Sequence, residues 1–107
     1  MNLEDCVFCK IIKGEISKKF EYEDKKVVAF YSNKPSADIH LLIIPKKHIP
    51  TFLELDKEIV DMTKAAQKII KDMNLGGGYR LCFNGGKYLE VQHVHLHLLA
   101  GKIDSYT

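Results

Sequence analysis

His93-Val94-His95-Leu96-His97-Leu98-Leu99-Ala100 alternates imidazole and aliphatic side chains with a period of two. A β-strand sends successive side chains to opposite faces. A strand over 92–100 would therefore carry His93, His95 and His97 on one face. Val94, Leu96 and Leu98 would share the other and face a core. A slip by one residue would bury three imidazoles, so the pattern fixes the register.

Working outward, Tyr79–Phe83 is a further strand, joined to the histidine strand by the loop Asn84–Val91, which holds two glycines. Gly76-Gly77-Gly78 closes a long helix between about Asp56 and Met73. Leu55, Ile59, Met62, Ala66, Ile69, Ile70 and Met73 form one apolar face of it. Asp56 is placed to cap its start, and Glu58 in the first turn suits the helix dipole. Ile39-His40-Leu41-Leu42-Ile43-Ile44, stopped by Pro45, is too short and too uniformly apolar for a surface helix and reads as a buried central strand. Phe20–Glu23 and Val27–Tyr31 form a hairpin through Asp24-Lys25. Ser32–Ser36 is a loop by composition. Phe8, Ile11 and Ile12 suit a short helix between Cys6 and Gly14. The order is helix, three strands, helix, two strands. It predicts an α+β fold: a five-stranded antiparallel sheet of sequential neighbours with one short N-terminal helix and one long helix.

Composition sets the class. A chain of 107 residues with 46% hydrophobic content suits a single domain over 1–107. Sixteen basic residues against fourteen acidic ones leave a charge of +2, too balanced for a partner built on nucleic-acid phosphates. No apolar run approaches the ~20 residues that span a bilayer. The opening Met1-Asn2-Leu3-Glu4-Asp5 is acidic and lacks a signal-like apolar stretch, which predicts a cytoplasmic protein with no membrane partner. Three cysteines cannot close a disulfide framework; in a reducing compartment they are free, catalytic or metal-bound. Cys82, in an apolar stretch, reads as a small core residue.

Three imidazoles on one strand face are a chemical signal. Near neutral pH the group serves as nucleophile, acid, base or metal ligand. Alternate strand positions spread along a line, whereas a single metal ion needs converging ligands, so the three are not expected to form a metal site by themselves.

The segment His93–Leu99 resembles the H-φ-H-φ-H-φ-φ signature of the histidine-triad family, φ being apolar. The similarity extends over Cys6-Val-Phe-Cys9-Lys-Ile-Ile-Lys-Gly-Glu-Ile, Ala29-Phe30, His40-Leu-Leu-Ile-Ile-Pro-Lys-Lys-His48, Tyr79-Arg80 and Asn84-Gly85. The chain looks most like the small nucleotide-binding branch. That resemblance implies a homodimer whose sheets join into ten strands. It implies an enzyme that hydrolyses purine nucleoside phosphoramidates, such as adenylated amines, through a phosphohistidine. His95 would be the nucleophile, His97 would contact the phosphate, His40 would support from the adjacent strand, and His93 would stand beside the nucleophile. Asn84 would orient the loop. Splitting a hard displacement into two through a covalent intermediate is the physical gain. Phe30 and Ile16 would wall the base, with Tyr31, Ser32 and Asn33 on the rim. A dinucleoside polyphosphate hydrolase and a non-catalytic, zinc-stabilised nucleotide-binding module are the alternatives.

Cys6-x-x-Cys9 has a spacing suited to zinc. By resemblance to some bacterial members, His48 and His93 would complete a four-ligand structural site. The alternative is two small buried cysteines on one helical face.

The sequence departs from the family in two places. Ser32 stands where an acidic residue usually holds both ribose hydroxyls, so ribose discrimination is expected to be weak. The loop Lys87-Tyr88-Leu89-Glu90-Val91-Gln92 lacks the usual Gly-Gln, and Glu90 there would oppose an anion unless it turned outward.

Overall fold

A computed structural model describes residues 5–104 of the chain. Helix α1 (Val7–Ile12) is followed by strands β1 (Tyr22–Glu23), β2 (Val27–Tyr31) and β3 (Ala37–Pro45). Helix α2 (Glu58–Asp72), β4 (Tyr79–Phe83) and β5 (Leu96–Ile103) complete the order, with single 3-10 turns at Phe52–Glu54 and Gly86–Tyr88. The fold is α+β, a five-stranded sheet with two helices, as the residue pattern predicts.

Strand order corrects one expectation. The strands are not all sequential neighbours: the sheet runs β1-β2-β3-β5-β4, every pair antiparallel. After β3 the chain crosses through α2 to the far edge, and β5 returns to fill the gap. Local periodicity carries no information about that crossover, which α2 imposes by covering one sheet face. The result places β5, the strand of the triad, beside β3, the strand of His40.

Each face of the sheet has its own core. On β2, Val27 and Ala29 point to one side and Val28 and Phe30 to the other; on β3, Leu41 and Ile43 oppose Leu42 and Ile44. The first set, with Leu96 and Leu98, packs under Met62, Ala65, Ala66 and Ile69 of α2. The second packs under Cys6, Phe8, Cys9 and Ile11 of α1. A strand covered on both faces reads as a continuous apolar run, which is why 39–44 shows no alternation. Truncating Met62, fully buried under α2, would cost about 2–5 kcal/mol.

Helix ends differ from the sequence reading. Lys57, not Asp56, is the N-cap of α2, and it makes no side-chain cap bond. Asp56 instead contributes its carbonyl to the Ile59 amide. At the other end the left-handed position is taken by Asn74, with φ of 57°, before the glycines are reached; asparagine tolerates that region. At α1 the expected stop holds: the helix ends at Ile12, and Gly14 takes the left-handed turn at φ of 82°.

Candidate active site and metal centre

The triad segment begins before its strand. His93, Val94 and His95 precede β5, and only His97 lies within it. The backbone is still held: the Val94 amide donates to the Ile49 carbonyl at 2.7 Å, and the His93 amide to the Val91 carbonyl. Alternation survives, with Val94, Leu96 and Leu98 all buried. The imidazole face, however, is not open: His93, His95 and His97 are 0%, 5% and 9% exposed, and His40 is 4% exposed. Helix α1 covers them, and Phe8 meets the His95 ring edge-on at 5.2 Å between centroids. The sequence reading treated the triad face as the face that must not be buried. The structure buries it and satisfies each ring through hydrogen bonds.

Those bonds fix which nitrogen carries hydrogen in each neutral ring. A carbonyl only accepts. His95 therefore carries its hydrogen on Nδ1, which donates to the His93 carbonyl at 2.8 Å. Its Nε2 keeps a bare lone pair. The Ser36 amide donates to His40 Nδ1 at 3.0 Å, so His40 holds its hydrogen on Nε2. That hydrogen is donated to His97 Nδ1 at 2.8 Å. The remaining His97 hydrogen is then on Nε2, which faces the Asn84 amide 3.3 Å away. His93 donates from Nε2 to the Pro45 carbonyl at 2.7 Å and leaves Nδ1 bare.

Burial keeps all four rings neutral. It pushes His97 down to about 4, helped by the neighbouring His95 and His40. It lowers His93 to about 4 as well. His40 is lowered by burial and then by His95. His95 is lowered by burial too, while its bond to the His93 carbonyl and the charge of Glu90 pull the other way. At neutral pH, then, His95 presents an uncharged nitrogen with a free electron pair.

Two cavities meet at this point. One, of about 100 Å³, is lined by His40, His95, His97, Asn84, Ser36 and Tyr88 together with Ser32, Lys34 and Glu90. The other, of about 200 Å³, is lined by Phe8, Ile11, Phe30, Tyr31, Leu42, Val91 and others, and shares Ser32, Lys34 and Glu90 with the first. An apolar, aromatic slot thus adjoins an imidazole pocket. Lys18 lies over the Phe30 ring at 5.6 Å and donates to Asn33 Oδ1 at 2.6 Å.

Of the expected contacts, Phe30, Tyr31, Ser32 and Asn33 line the slot, whereas Ile16 lies outside it on the turn after α1 and is 38% exposed. Glu90 does not turn outward; it lines both cavities. Lys34 and Tyr88 also line the imidazole pocket, and no residue pattern in the sequence marked them. Cys82 is only half-buried, on the edge strand, with its Sγ 3.3 Å from the Asn84 amide.

A second constellation lies behind the triad. The ligand atoms of Cys6, Cys9, His48 and His93 all fall within 4.8 Å of one another. Cys9 Sγ is 3.2 Å from His48 Nδ1 and 3.5 Å from His93 Nδ1, and Cys6 Sγ is 3.4 Å from His93 Nδ1. A tetrahedral zinc with Zn–N of about 2.0 Å and Zn–S of about 2.3 Å has ligand-to-ligand edges of about 3.5 Å. The set is compatible with a metal site, and the bare Nδ1 of His93 points the correct lone pair at it. Burial and the adjacent Cys6 push the Cys9 thiol up to about 11. A cation there must displace that proton.

A family model, the HIT domain, matches residues 13–104. The chain belongs to the HIT family. It is 40% identical over 99 residues to an uncharacterized HIT-like protein of Methanocaldococcus jannaschii, covering 88% of this chain and 77% of the relative. It is 33% identical to a bifunctional adenosine 5'-phosphosulfate phosphorylase/adenylylsulfatase of Arabidopsis thaliana, over 89% of this chain and 69% of the relative. A HIT family hydrolase from Clostridium thermocellum superposes with a TM-score of 0.89 at 42% identity, covering 99% of this chain and 97% of that one. Within this HIT domain, His93, His95 and His97 are the family's three histidines, and no helix among the described residues is long and apolar enough to cross a membrane.

Proposed function

We propose that this HIT protein hydrolyses purine nucleoside phosphoramidates to the nucleoside monophosphate. The observation that carries the reading is the His95 tautomer: a neutral ring, tied at Nδ1, with a bare Nε2 in a pocket that adjoins an apolar slot. The base occupies the slot against Phe30, and the phosphorus lies in the imidazole pocket. His95 Nε2 forms a bond to phosphorus while the P–N bond breaks. The electron pair stays on nitrogen, which leaves as the amine after taking a proton. Positive charge on the His95 ring is stabilised by the Nδ1–H bond to the His93 carbonyl. Water then attacks phosphorus, His95 is regenerated, and one water is consumed overall. His97 Nε2–H, held by His40, and the Asn84 amide are the donors for the phosphoryl oxygens.

A second reading has a specific observation behind it. Lys34 on the wall of the imidazole pocket suits an anionic leaving group such as sulfate, the substrate type named for the Arabidopsis relative. Turnover of adenosine 5'-phosphoramidate, adenosine 5'-phosphosulfate and a diadenosine polyphosphate, each with a His95→Ala control, separates these chemistries. Binding without turnover of any of them would leave a nucleotide-binding module.

Zinc is our assignment for the ion at Cys6, Cys9, His48 and His93. Four protein ligands close the shell, so its role is structural. It would pin α1, and with it Phe8, against the triad.

We also assign a homodimer. The edge strand β4 exposes Tyr79 and Leu81, and Phe52 and Leu53 stand beside it, Leu53 being 89% exposed. A groove of about 550 Å³ lined by Phe52, Leu53, Phe83 and Gly85 runs along this side. Pairing two such faces about a two-fold axis would cover them and join the sheets into ten strands. Free thiols at Cys6 and Cys9 suit a reducing, cytoplasmic setting.

A further inference from the structure

The wall between the two cavities consists of three side chains: Ser32, Lys34 and Glu90. A ligand with a flat apolar group in the slot and a phosphorus at His95 must place its connecting sugar against that wall. Two of the oxygens nearby are already engaged. Ser32 Oγ accepts from the Lys34 amide at 3.2 Å, and Asn33 Oδ1 accepts from Lys18 Nζ at 2.6 Å. Glu90 is exposed, faces both cavities, and among the described residues makes no hydrogen bond or ion pair. A carboxylate left unpartnered at the mouth of an anion-binding pocket works against the phosphate unless it does something else for the ligand. What a carboxylate does well is accept two hydroxyl hydrogens at once.

We propose that Glu90 is the specificity-determining residue for the sugar: its carboxylate accepts from both hydroxyls of a vicinal diol, and selects ribonucleotides over deoxynucleotides. The assignment rests on the placement of base and phosphorus given above. It replaces the weak discrimination expected from Ser32 alone, because the acid comes from the loop ahead of the triad instead of from the end of β2. Lys34, on the same wall, offsets the added negative charge near the phosphate.

The test is equilibrium binding, which does not depend on turnover. Titrations of AMP, 2'-deoxy-AMP and 3'-deoxy-AMP by calorimetry are run on the unmodified protein, Glu90→Gln and Ser32→Ala. Unmodified protein should bind AMP at least about tenfold more tightly than either deoxynucleotide, the scale of one lost charge-assisted bond. Glu90→Gln should shrink that ratio below about threefold and also tighten 2'-deoxy-AMP, since a like charge has gone; a merely structural role would not strengthen any ligand. Ser32→Ala should keep the ratio. Equal affinities in the unmodified protein, or a full ratio in Glu90→Gln, would overturn the proposal. Nucleotide binding with this ratio but no phosphoramidate turnover would leave Glu90 in place and defeat the hydrolase reading instead. No nucleotide binding at all would defeat both.

Discussion

The Nδ1 hydrogen of His95 is donated to the main-chain carbonyl of His93 at 2.8 Å. One residue of the triad thus sets the tautomer of the next through its backbone, while its own ring is turned to Cys6 and Cys9. The nucleophile and the candidate metal centre share a single residue, and they use different atoms of it.

That sharing makes the metal a matter of stability before it is one of chemistry. Purified protein should carry one zinc per chain. Removing it should lower the melting temperature by roughly 10 °C, the equivalent of about 2 kcal/mol in a domain this size. Activity per folded molecule should fall less. Cys9→Ser should reproduce the shift, and metal retention should fail in acid because the thiolates must be deprotonated. Metal analysis and calorimetric melting with and without chelator are the measurements.

Acid should unfold the protein for a second reason. Burial first, and then the neighbouring imidazoles, hold His97 at about 4 instead of the ordinary 6.5, so the unfolded chain binds this proton more readily than the folded one. The contribution is complete above about pH 6.5 and is lost as pH falls toward about 4. The displacement corresponds to ~3 kcal/mol for His97 alone. Urea unfolding of zinc-loaded protein at about pH 7 and about pH 4.5 should show that loss, and His97→Gln should flatten part of the dependence.

His40 sits between a backbone amide and His97. His40→Leu leaves the Ser36 amide without its acceptor and frees His97 to turn. A cost of about 1–3 kcal/mol in stability is expected. The Km for a phosphoramidate should change little while kcat falls, because His97 is a donor to the transferring phosphoryl group. Steady-state kinetics and a denaturant titration on the same variant check both halves.

Much of this was legible in the residues, and the failures have physical causes. The alternation over 93–98 identified the triad and its buried partners, because a period of two survives even where the chain is not yet in strand. The Cys6-x-x-Cys9 spacing, with His48 and His93, marked a cluster that folding brings together from four places. What stayed hidden depends on tertiary packing. The insertion of β5 between β3 and β4 follows from how α2 crosses the sheet. The inward direction of Glu90 is set by the turn Gly86–Tyr88 and the segment after it, whose backbone has no periodic signature. The burial of all three imidazoles depends on α1, six residues whose apolar pattern announces a helix but not what it covers.

Dimer formation should be separable from folding. Phe52, Leu53, Tyr79 and Leu81 are exposed along one side, so Leu53→Asp combined with Leu81→Asp should convert a dimer at micromolar concentration into a species near 12.2 kDa with an unchanged melting profile. Asn84 lines both the exposed groove and the imidazole pocket. Turnover should therefore fall with dimer fraction. Sedimentation and activity measured over one dilution series test this.

The role of His95 is tested most directly by trapping. The protein is mixed with adenosine 5'-phosphoramidate, quenched in base within the first turnover, and digested for peptide mass mapping. A nucleotidyl adduct on the peptide containing His95, absent from His95→Ala along with steady-state turnover, is the expected result. Turnover by His95→Ala near the unmodified rate, or an adduct mapped to His93 or His97 instead, would contradict it.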